Sequence, residues 1–296
     1  MIRRRNFVPV DPQGQERLSE ELWPFDLAAN EGDICRYAAG CIPTHWHREP
    51  ELFILLGGEV RIRAGGDTVT LRAGEGCLIN GSTLHGFTAC SDPCPYRSIV
   101  FDPGLVAGAP GSIFDTKFVR PLLCGAPWQT VGAPESVFFA AFDRAFSACA
   151  SEEPGYELAV RAALSELVFF FVRRGGTAAP VLPESVGQAR LKQMVLYIHE
   201  NTDRALTLAE IARAASICPR ECQRIFRRYL HYGPTEYARR RRILAAAELL
   251  ATTEREITAI ALDCGFDSPA YFSAQFRRVV GSTPSAYRRA ARTASG

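Results

Sequence analysis

The residues of this chain best suited to hold a metal ion are three histidines and a glutamate in its first third. His45 and His47 flank a single residue, Glu51 follows four positions after His47, and His85 lies further along the chain. Imidazole and carboxylate groups together suit iron, manganese, nickel, copper or zinc. Histidines of this kind also occur inside protein cores as paired polar groups. Two interpretations are therefore open: a metal site, or a hydrogen-bonded group that contacts a small ligand.

A second group of residues, in the C-terminal part, has chemistry suited to nucleic acid. Apolar residues at helical spacing predict one buried face for a helix that begins near Pro219. The opposite, polar face contains Arg220, Gln223, Arg224 and Arg227. Arginine can pair with the major-groove edge of guanine, and glutamine with that of adenine. For a single basic helix, however, a solvated surface is the more common explanation.

This helix belongs to a segment that occurs twice, which favours DNA binding over plain surface charge. Leu208, Ile211, Ala212 and Ser216 correspond, 49 residues on, to Ile257, Ile260, Ala261 and Gly265. Each copy predicts a short helix, a tight turn and a second helix, which is the helix-turn-helix arrangement. The arginines assigned to DNA phosphates are Arg227, Arg228, Arg277 and Arg278.

Residues 189–291 resemble the AraC/XylS family of bacterial transcription regulators. The resemblance is carried by LTLAEIARAASICPRECQRIFRRYL, by PTEYARRRRILAAAELL and by ITAIALDCGFDSPAYFSAQFRRVVGSTPSAYRR. It implies two helix-turn-helix units joined by a long helix over about Pro234–Leu250, each unit with one helix in a major groove. The positions that it implies for base contacts are Arg220, Gln223, Arg224, Ala270, Ser273 and Ala274. The chain departs from the family pattern at Cys218, His231 and Ala274, where the family usually has a hydroxyl cap, a glycine and a basic residue.

The histidines lie in segments that resemble the two motifs of cupin barrels. The first is Gly40-x4-His45-x-His47-x3-Glu51-x6-Gly58, and the second is Gly74-x5-Asn80-x4-His85, with Asn80 and Ser82 in place of the usual proline and glycine. The resemblance implies that the four candidate ligands converge inside a β-barrel. We expect Trp46, Phe53 and Phe87 to help line an apolar pocket for an effector.

The intervening pattern predicts the elements that would position these residues. Short apolar runs separated by glycine turns predict strands near Glu51–Leu56, Val60–Ala64, Thr68–Leu71 and Cys77–Asn80. From Glu135 the period becomes helical, with Val137 among the apolar positions, and a second helix is predicted over Leu158–Val172. We therefore predict an α+β protein of two domains: a cupin-like β-barrel or sandwich with a helical hairpin (1–174), a linker (175–185) and an all-α double helix-turn-helix domain (186–296).

Composition and charge narrow the class of protein. Residues 186–296 contain 18 Lys and Arg against 10 Asp and Glu, a net charge of +8, whereas residues 1–185 have a net charge of −6. A basic half of this kind suits a polyanion such as DNA.

No apolar stretch reaches the ~18 residues that a membrane span requires. The ten cysteines include no CxxC pair, and the start of the chain has no apolar run typical of an export signal, so we expect free thiols and a cytoplasmic protein.

The leading hypothesis is a DNA-binding transcription regulator that responds to a small-molecule effector in its cupin-like domain. The expected partners are operator DNA, the effector, a second copy of the chain and RNA polymerase, with no membrane. We predict no catalytic residue, and no cofactor beyond the divalent metal left open above. The alternatives are a cupin metalloenzyme tethered to DNA or a partner by the helical domain, and an architectural DNA-binding protein without an effector.

Overall fold

The computed structural model of the protein describes residues 2–4, 25–133, 135–176, 186–230 and 232–293. These residues divide into two compact units. The first unit consists of residues 2–4, 25–36 and 43–176, and the second consists of residues 37–42 and 186–293. Most of the predicted linker, residues 177–185, lies outside the described residues, as does His231.

The first unit is built mainly from strands. They are β1 (Ile2–Arg4), β2 (Leu27–Asp33), β3 (Cys41–His45), β4 (Glu51–Leu55), β5 (Glu59–Ala64), β6 (Asp67–Arg72), β7 (Gly76–Ile79), β8 (His85–Ala89), β9 (Pro95–Phe101) and β10 (Trp128–Val131). One sheet has the order β1-β2-β9-β4-β7-β10 and the other has the order β3-β8-β5-β6. Apart from the parallel pair β1–β2, the strand pairs whose register is determined are antiparallel. The predicted β-sandwich is confirmed, and the four predicted strand runs match β4 to β7.

The central strands β4 and β7 of the larger sheet are buried on both faces, because helices cover the side that faces away from the smaller sheet. The described residues of this unit include four α-helices: α1 (Gly104–Ala107), α2 (Arg120–Leu123), α3 (Ser136–Ser151) and α4 (Tyr156–Phe171). Shorter helical segments of other types are Ile34–Arg36, Asp115–Val119 and Val172–Gly176. Leu52 and Ile54 of β4 belong to the same apolar cluster as Phe138 and Leu167 of α3 and α4. Alternate residues of β4, including Glu51 and Phe53, therefore project into the sandwich interior.

The helical hairpin is confirmed, but one residue of its predicted apolar face is not buried. Val137 is 62% exposed, whereas its neighbour Phe138 is fully buried. The helical repeat explains the difference, because the buried row of α3 contains Phe138, Ala141, Phe142, Ala145 and Phe146, and Val137 lies to one side of it.

The second unit is helical. Its helices are α5 (Val186–Glu200), α6 (Leu208–Ala214), α7 (Pro219–Leu230), α8 (Pro234–Thr252), α9 (Ile257–Asp263), α10 (Pro269–Val280) and α11 (Pro284–Thr293). A capping box begins α6: Thr207 Oγ1 accepts from the Glu210 amide, and Glu210 Oε2 accepts from the Thr207 amide. In the part of the chain that the structure describes, none of the helices combines the length and the apolar character that crossing a membrane requires.

Candidate functional site

The two halves of the second unit repeat the same backbone geometry. In the turn between α6 and α7, Ser216 has a left-handed φ of 52°, and Gly265, between α9 and α10, has a φ of 70°. After each turn an amide donates back to the first helix, from Ile217 to the Ala212 carbonyl at 3.1 Å and from Phe266 to the Ala261 carbonyl at 2.9 Å. The repeat read from the sequence is therefore a structural repeat of two helix-turn-helix units.

The outer face of α7 presents the polar residues that the sequence singled out. Cys222, Ile225 and Phe226 are buried, and the residues between them are open to solvent. The exposed side chains are Arg220, Gln223, Arg224, Arg227 and Arg228. This face therefore offers arginine and glutamine donors to a partner without any rearrangement of the helix.

The corresponding face of α10 is chemically plainer. Phe272 and Phe276 are fully buried, Ala270 and Ala274 are exposed, and Ser273 is half-buried. Arg277 and Arg278 at the end of the helix are exposed. Ser268 caps α10 by accepting from the Tyr271 amide at 3.3 Å. Tyr271 is itself 48% exposed, so the face offers an aromatic ring, a hydroxyl and methyl groups.

One residue beside this site, Glu221, has a role that the sequence reading missed. Arg224 donates from Nε and from Nη2 to the two carboxylate oxygens of Glu221, each at 2.7 Å. This contact lowers the pKa of Glu221 and raises that of Arg224, so both groups stay charged. The signal was available, because oppositely charged residues three positions apart on a helix are neighbours.

Helix α8, which joins the two helix-turn-helix units, contains four successive arginines, Arg239–Arg242. Arg242 is buried, donates to the Gly265 carbonyl at 2.6 Å and stacks on the Phe266 ring at 4.4 Å. The partner is therefore a backbone carbonyl and an aromatic ring rather than an acid. A guanidinium satisfies such groups because it combines planar donors with a flat, weakly hydrated face.

The histidines and the glutamate meet inside the sandwich of the first unit. His45 ends β3 and His85 begins β8, the strand beside β3 in the smaller sheet, while Glu51 begins β4 in the opposite sheet. One ring nitrogen of each histidine lies within 4.8 Å of the others, and all three rings are buried. His47 Nε2 and His85 Nε2 lie 3.6 and 3.2 Å from Glu51 Oε2.

Backbone carbonyls orient all three rings. Nδ1 lies 2.8 Å from the Pro43 carbonyl in His45, 2.7 Å from the Glu49 carbonyl in His47 and 2.8 Å from the Thr83 carbonyl in His85. Because a carbonyl can only accept, Nδ1 carries the hydrogen in each ring, and a neutral ring then directs the Nε2 lone pair inward. A carbonyl that fixes the tautomer in this way is typical of metal-binding histidines.

The charges of this centre follow from its burial. Burial, reinforced by the neighbouring His85 and His47, holds the pKa of His45 well below its usual range. Burial would by itself raise the pKa of Glu51, but the contacts with His47 and His85 outweigh it and hold that pKa below its usual range. Three imidazole rings and a carboxylate thus share one buried space, and this set of groups suits a divalent cation.

Aromatic rings fill the interior beyond the histidines. Phe53 stacks on Phe87 at 4.6 Å and on Tyr96 at 5.4 Å, and Phe87 meets the His85 ring edge-on at 5.8 Å. Phe53 and Phe87 are thus brought together beside the centre, whereas Trp46 is only half-buried between its two histidine neighbours. Asn80, in place of the usual proline, donates to the carbonyls of Leu122 and Ala126.

Two matched helix-turn-helix units with exposed basic faces define a DNA-binding transcription regulator. Residues 211–290 match the family model of a helix-turn-helix domain, and residues 31–168 match that of the AraC-like ligand binding domain. The chain belongs to the AraC/XylS family of transcription regulators. It therefore combines a ligand-binding domain with a DNA-binding helix-turn-helix region.

Individual relatives agree with this assignment. The regulatory protein SoxS of Escherichia coli K12 is 39% identical over 101 residues, which cover 34% of this chain and 94% of SoxS. YdeC of Bacillus subtilis 168, an uncharacterized regulator of the helix-turn-helix type, is 24% identical over 96% of this chain and 99% of its own. Among solved structures, apo ToxT from Vibrio cholerae has a TM-score of 0.49 at 15% identity and covers 89% of this chain and 97% of that chain. The matches to SoxS and YdeC, both regulators by name, give the metalloenzyme alternative no support.

Proposed function

We propose that this regulator recognises specific DNA sequences through residues 186–296 and responds to an ion or small molecule held in residues 1–174, with residues 175–185 as the linker. The observation that supports it best is the pair of matched units, each with one exposed helix face. The site of action is the cytoplasm, where the chromosome is accessible. The proposed partner of the DNA-bound chain is RNA polymerase, because it carries out the transcription that such a regulator controls.

We assign base contacts to Arg220, Gln223 and Arg224 of α7. The corresponding residues of α10 are Ala270, Ser273 and Ala274. Arginine and glutamine side chains can each make two hydrogen bonds to one base, whereas methyl groups can only contact a thymine methyl. Helix α7 therefore supplies most of the sequence discrimination. The phosphate contacts are Arg227, Arg228, Arg277 and Arg278.

Two arginine variants test which residues contact bases and which contact phosphates. A binding site is first selected from random DNA with the full-length protein, and affinities are then measured on that site and on unrelated DNA. Arg224→Ala should lose about 5–100-fold in affinity on the selected site and relax the preference at one base pair. Arg278→Ala should weaken binding to all sequences. It should also reduce the slope of log affinity against log salt concentration by about one, because about one counterion fewer is released. Equal losses for Arg224→Ala on both DNAs would contradict its assignment to a base.

For the first unit we propose a divalent transition-metal ion held by Nε2 of His45, His47 and His85 and by the Glu51 carboxylate. The support is chemical: the three rings are oriented by carbonyls so that lone pairs and a buried carboxylate share one space. Such an ion would supply a strong positive charge at the meeting point of the two sheets. It would join β3, β4 and β8, and its presence would alter the stability of the unit that senses the effector.

Metal analysis of the purified full-length protein tests this proposal. We expect one ion per chain, and its loss in His45→Ala and in His85→Ala. The matched control is His199→Gln, because His199 is also buried but lies on α5 in the second unit, beside the Tyr237 hydroxyl. Added metal should raise the melting temperature of the wild type and of the control but not of the other two variants. A metal-free protein whose melting does not respond to added ions would overturn the proposal and leave the paired polar group as the explanation.

We also propose that two chains associate through the outer face of α4. Leu158 is 72% exposed and Phe169 is 57% exposed, and with Ala162 and Ser165 they form one stripe directly opposite the buried row of the helix. Exposed apolar residues in a row mark an interaction surface. Arg161 and Glu166 flank the stripe on opposite sides. If the α4 helices of two copies pair in parallel, Arg161 of each copy faces Glu166 of the other, so the facing charges are opposite.

Sedimentation of the full-length protein tests this surface. Phe169→Glu should convert the dimer to a monomer, while Val137→Glu, an equally exposed apolar position on α3, should not. If both variants and the wild type sediment as the same species, α4 is not the contact.

A further inference from the structure

The pair formed by Glu221 and Arg224 decides which edge of the arginine is available. Both donors of the side-on edge, Nε and Nη2, are bound to the carboxylate at 2.7 Å. The Arg224 side chain remains 59% exposed, whereas that of Glu221 is 27% exposed. The acid therefore lies closer to the helix, and the arginine extends past it towards solvent.

The geometry of a guanidinium then limits what Arg224 can bind. Five N–H groups are arranged in a fixed fork, and two of them are used by Glu221. The remaining end-on pair, on Nη1 and Nη2, matches two acceptors that lie side by side in one plane. Guanine presents such a pair, O6 and N7, in the major groove, and the other bases do not.

The acid also changes how Arg224 responds to phosphate. Affinity for the DNA backbone comes from cations that replace condensed counterions. The ion pair as a whole has almost no net charge, because the Glu221 carboxylate offsets the charge of Arg224, so Arg224 gains little from a nearby phosphate. Arg224 therefore stabilises the complex mainly where a base can accept from its N–H groups on Nη1 and Nη2.

We propose that Glu221 is a specificity-determining positioning residue that restricts Arg224 to guanine and suppresses its use on the DNA backbone. The inference depends on the proposed contact between Arg224 and a base. It assigns Glu221 no contact with DNA of its own. Its effect reaches the DNA through the orientation and the charge of Arg224.

The test compares Glu221→Gln, Glu221→Asp and the control Glu200→Gln, which removes one acid at an exposed position of α5. Affinities of the full-length protein are measured over a range of salt, on the selected site, on its three variants at the base pair read by Arg224, and on random DNA. The wild type should prefer guanine by about 5–100-fold. Glu221→Gln should reduce this preference to about 3-fold or less and should bind random DNA more tightly than the wild type. The slope of its log affinity against log salt concentration should be steeper by about one.

The other two variants separate positioning from general effects. Glu221→Asp keeps the charge on a shorter side chain, so the salt dependence should stay that of the wild type while part of the guanine preference is lost. Glu200→Gln should leave the guanine preference unchanged. Circular dichroism checks that all variants fold.

The role of Glu221 and the base contact of Arg224 are contradicted by different results. If Arg224→Ala abolishes the guanine preference but Glu221→Gln keeps it in full, this inference is wrong and the proposed base contact stands. If Arg224→Ala weakens all sequences equally, the proposed base contact is itself wrong.

Discussion

Replacement of Gly265 by alanine tests how tightly the two helix-turn-helix units are joined. A methyl group at Gly265 would lie 2.5 Å from Arg204 Cα, 2.6 Å from the Arg204 amide nitrogen and 2.6 Å from the Asp203 carbonyl oxygen. These atoms precede α6, so they belong to the first helix-turn-helix half of the second unit. Since all three are backbone atoms, no side-chain rotation can relieve the overlap.

The expected loss has two parts. A φ of +70° costs alanine about 1 kcal/mol or more relative to glycine. Forcing a methyl group into a packed contact adds about 1–3 kcal/mol. The control is Gly281→Ala, at a φ of +86° with no atom within 4 Å of the added methyl group. It should show only the backbone part, so the two variants should differ by about 1–3 kcal/mol.

The chain offers separate signals for its two units. Trp46 and Trp128 lie in the first unit, and residues 186–296 contain no tryptophan, so tryptophan fluorescence reports on the first unit. The helical circular dichroism signal comes largely from the second unit. Urea unfolding of Gly265→Ala should shift the dichroism transition to lower urea and leave the fluorescence transition in place. A dichroism midpoint equal to that of Gly281→Ala would refute the close backbone contact.

Three further outcomes are expected. Thr207→Ala should destabilise the second unit by about 1 kcal/mol in urea unfolding, because α6 loses its capping hydroxyl; an unchanged midpoint would mean that the cap contributes nothing. Bonds from the Thr207 side chain, the Thr207 amide and Arg204 lower the pKa of Glu210 to about 2. Its stabilising contribution should be complete above pH 4.5 and lost as the pH falls towards 2, so Glu210→Gln should show a smaller acid-induced drop in stability than the wild type. Phe138→Ala should lower the stability of the first unit by about 3–5 kcal/mol, measured by tryptophan fluorescence; Val137→Ala should change it by less than about 0.5 kcal/mol, and comparable losses would contradict the burial of α3.

The local structure of this protein is largely encoded in short stretches of its sequence. Glycine turns between apolar runs predicted β4 to β7. Thr207 caps the start of α6, and α8, α10 and α11 begin with Pro234, Pro269 and Pro284, which are residue types typical of helix starts. Caps and turns of this kind act within a few residues, so they can be read without the fold. The repeat predicted both helix-turn-helix units, because the same hydrophobic spacing and turn residues recur about 49 residues apart.

What the sequence could not decide are the contacts between residues that are distant along the chain. The position of Glu51 opposite His45 and His85 depends on two sheets facing each other, and the carbonyls that orient the histidine rings depend on local backbone paths that side-chain types do not reveal. The burial of Arg242 against Gly265 depends on how α8 crosses the second turn. Even Val137 and Phe138, neighbours of similar character, differ because only the packing of α3 fixes which side faces the sheet. The sequence determined which groups are present and on which elements, and the tertiary structure decided which of them meet.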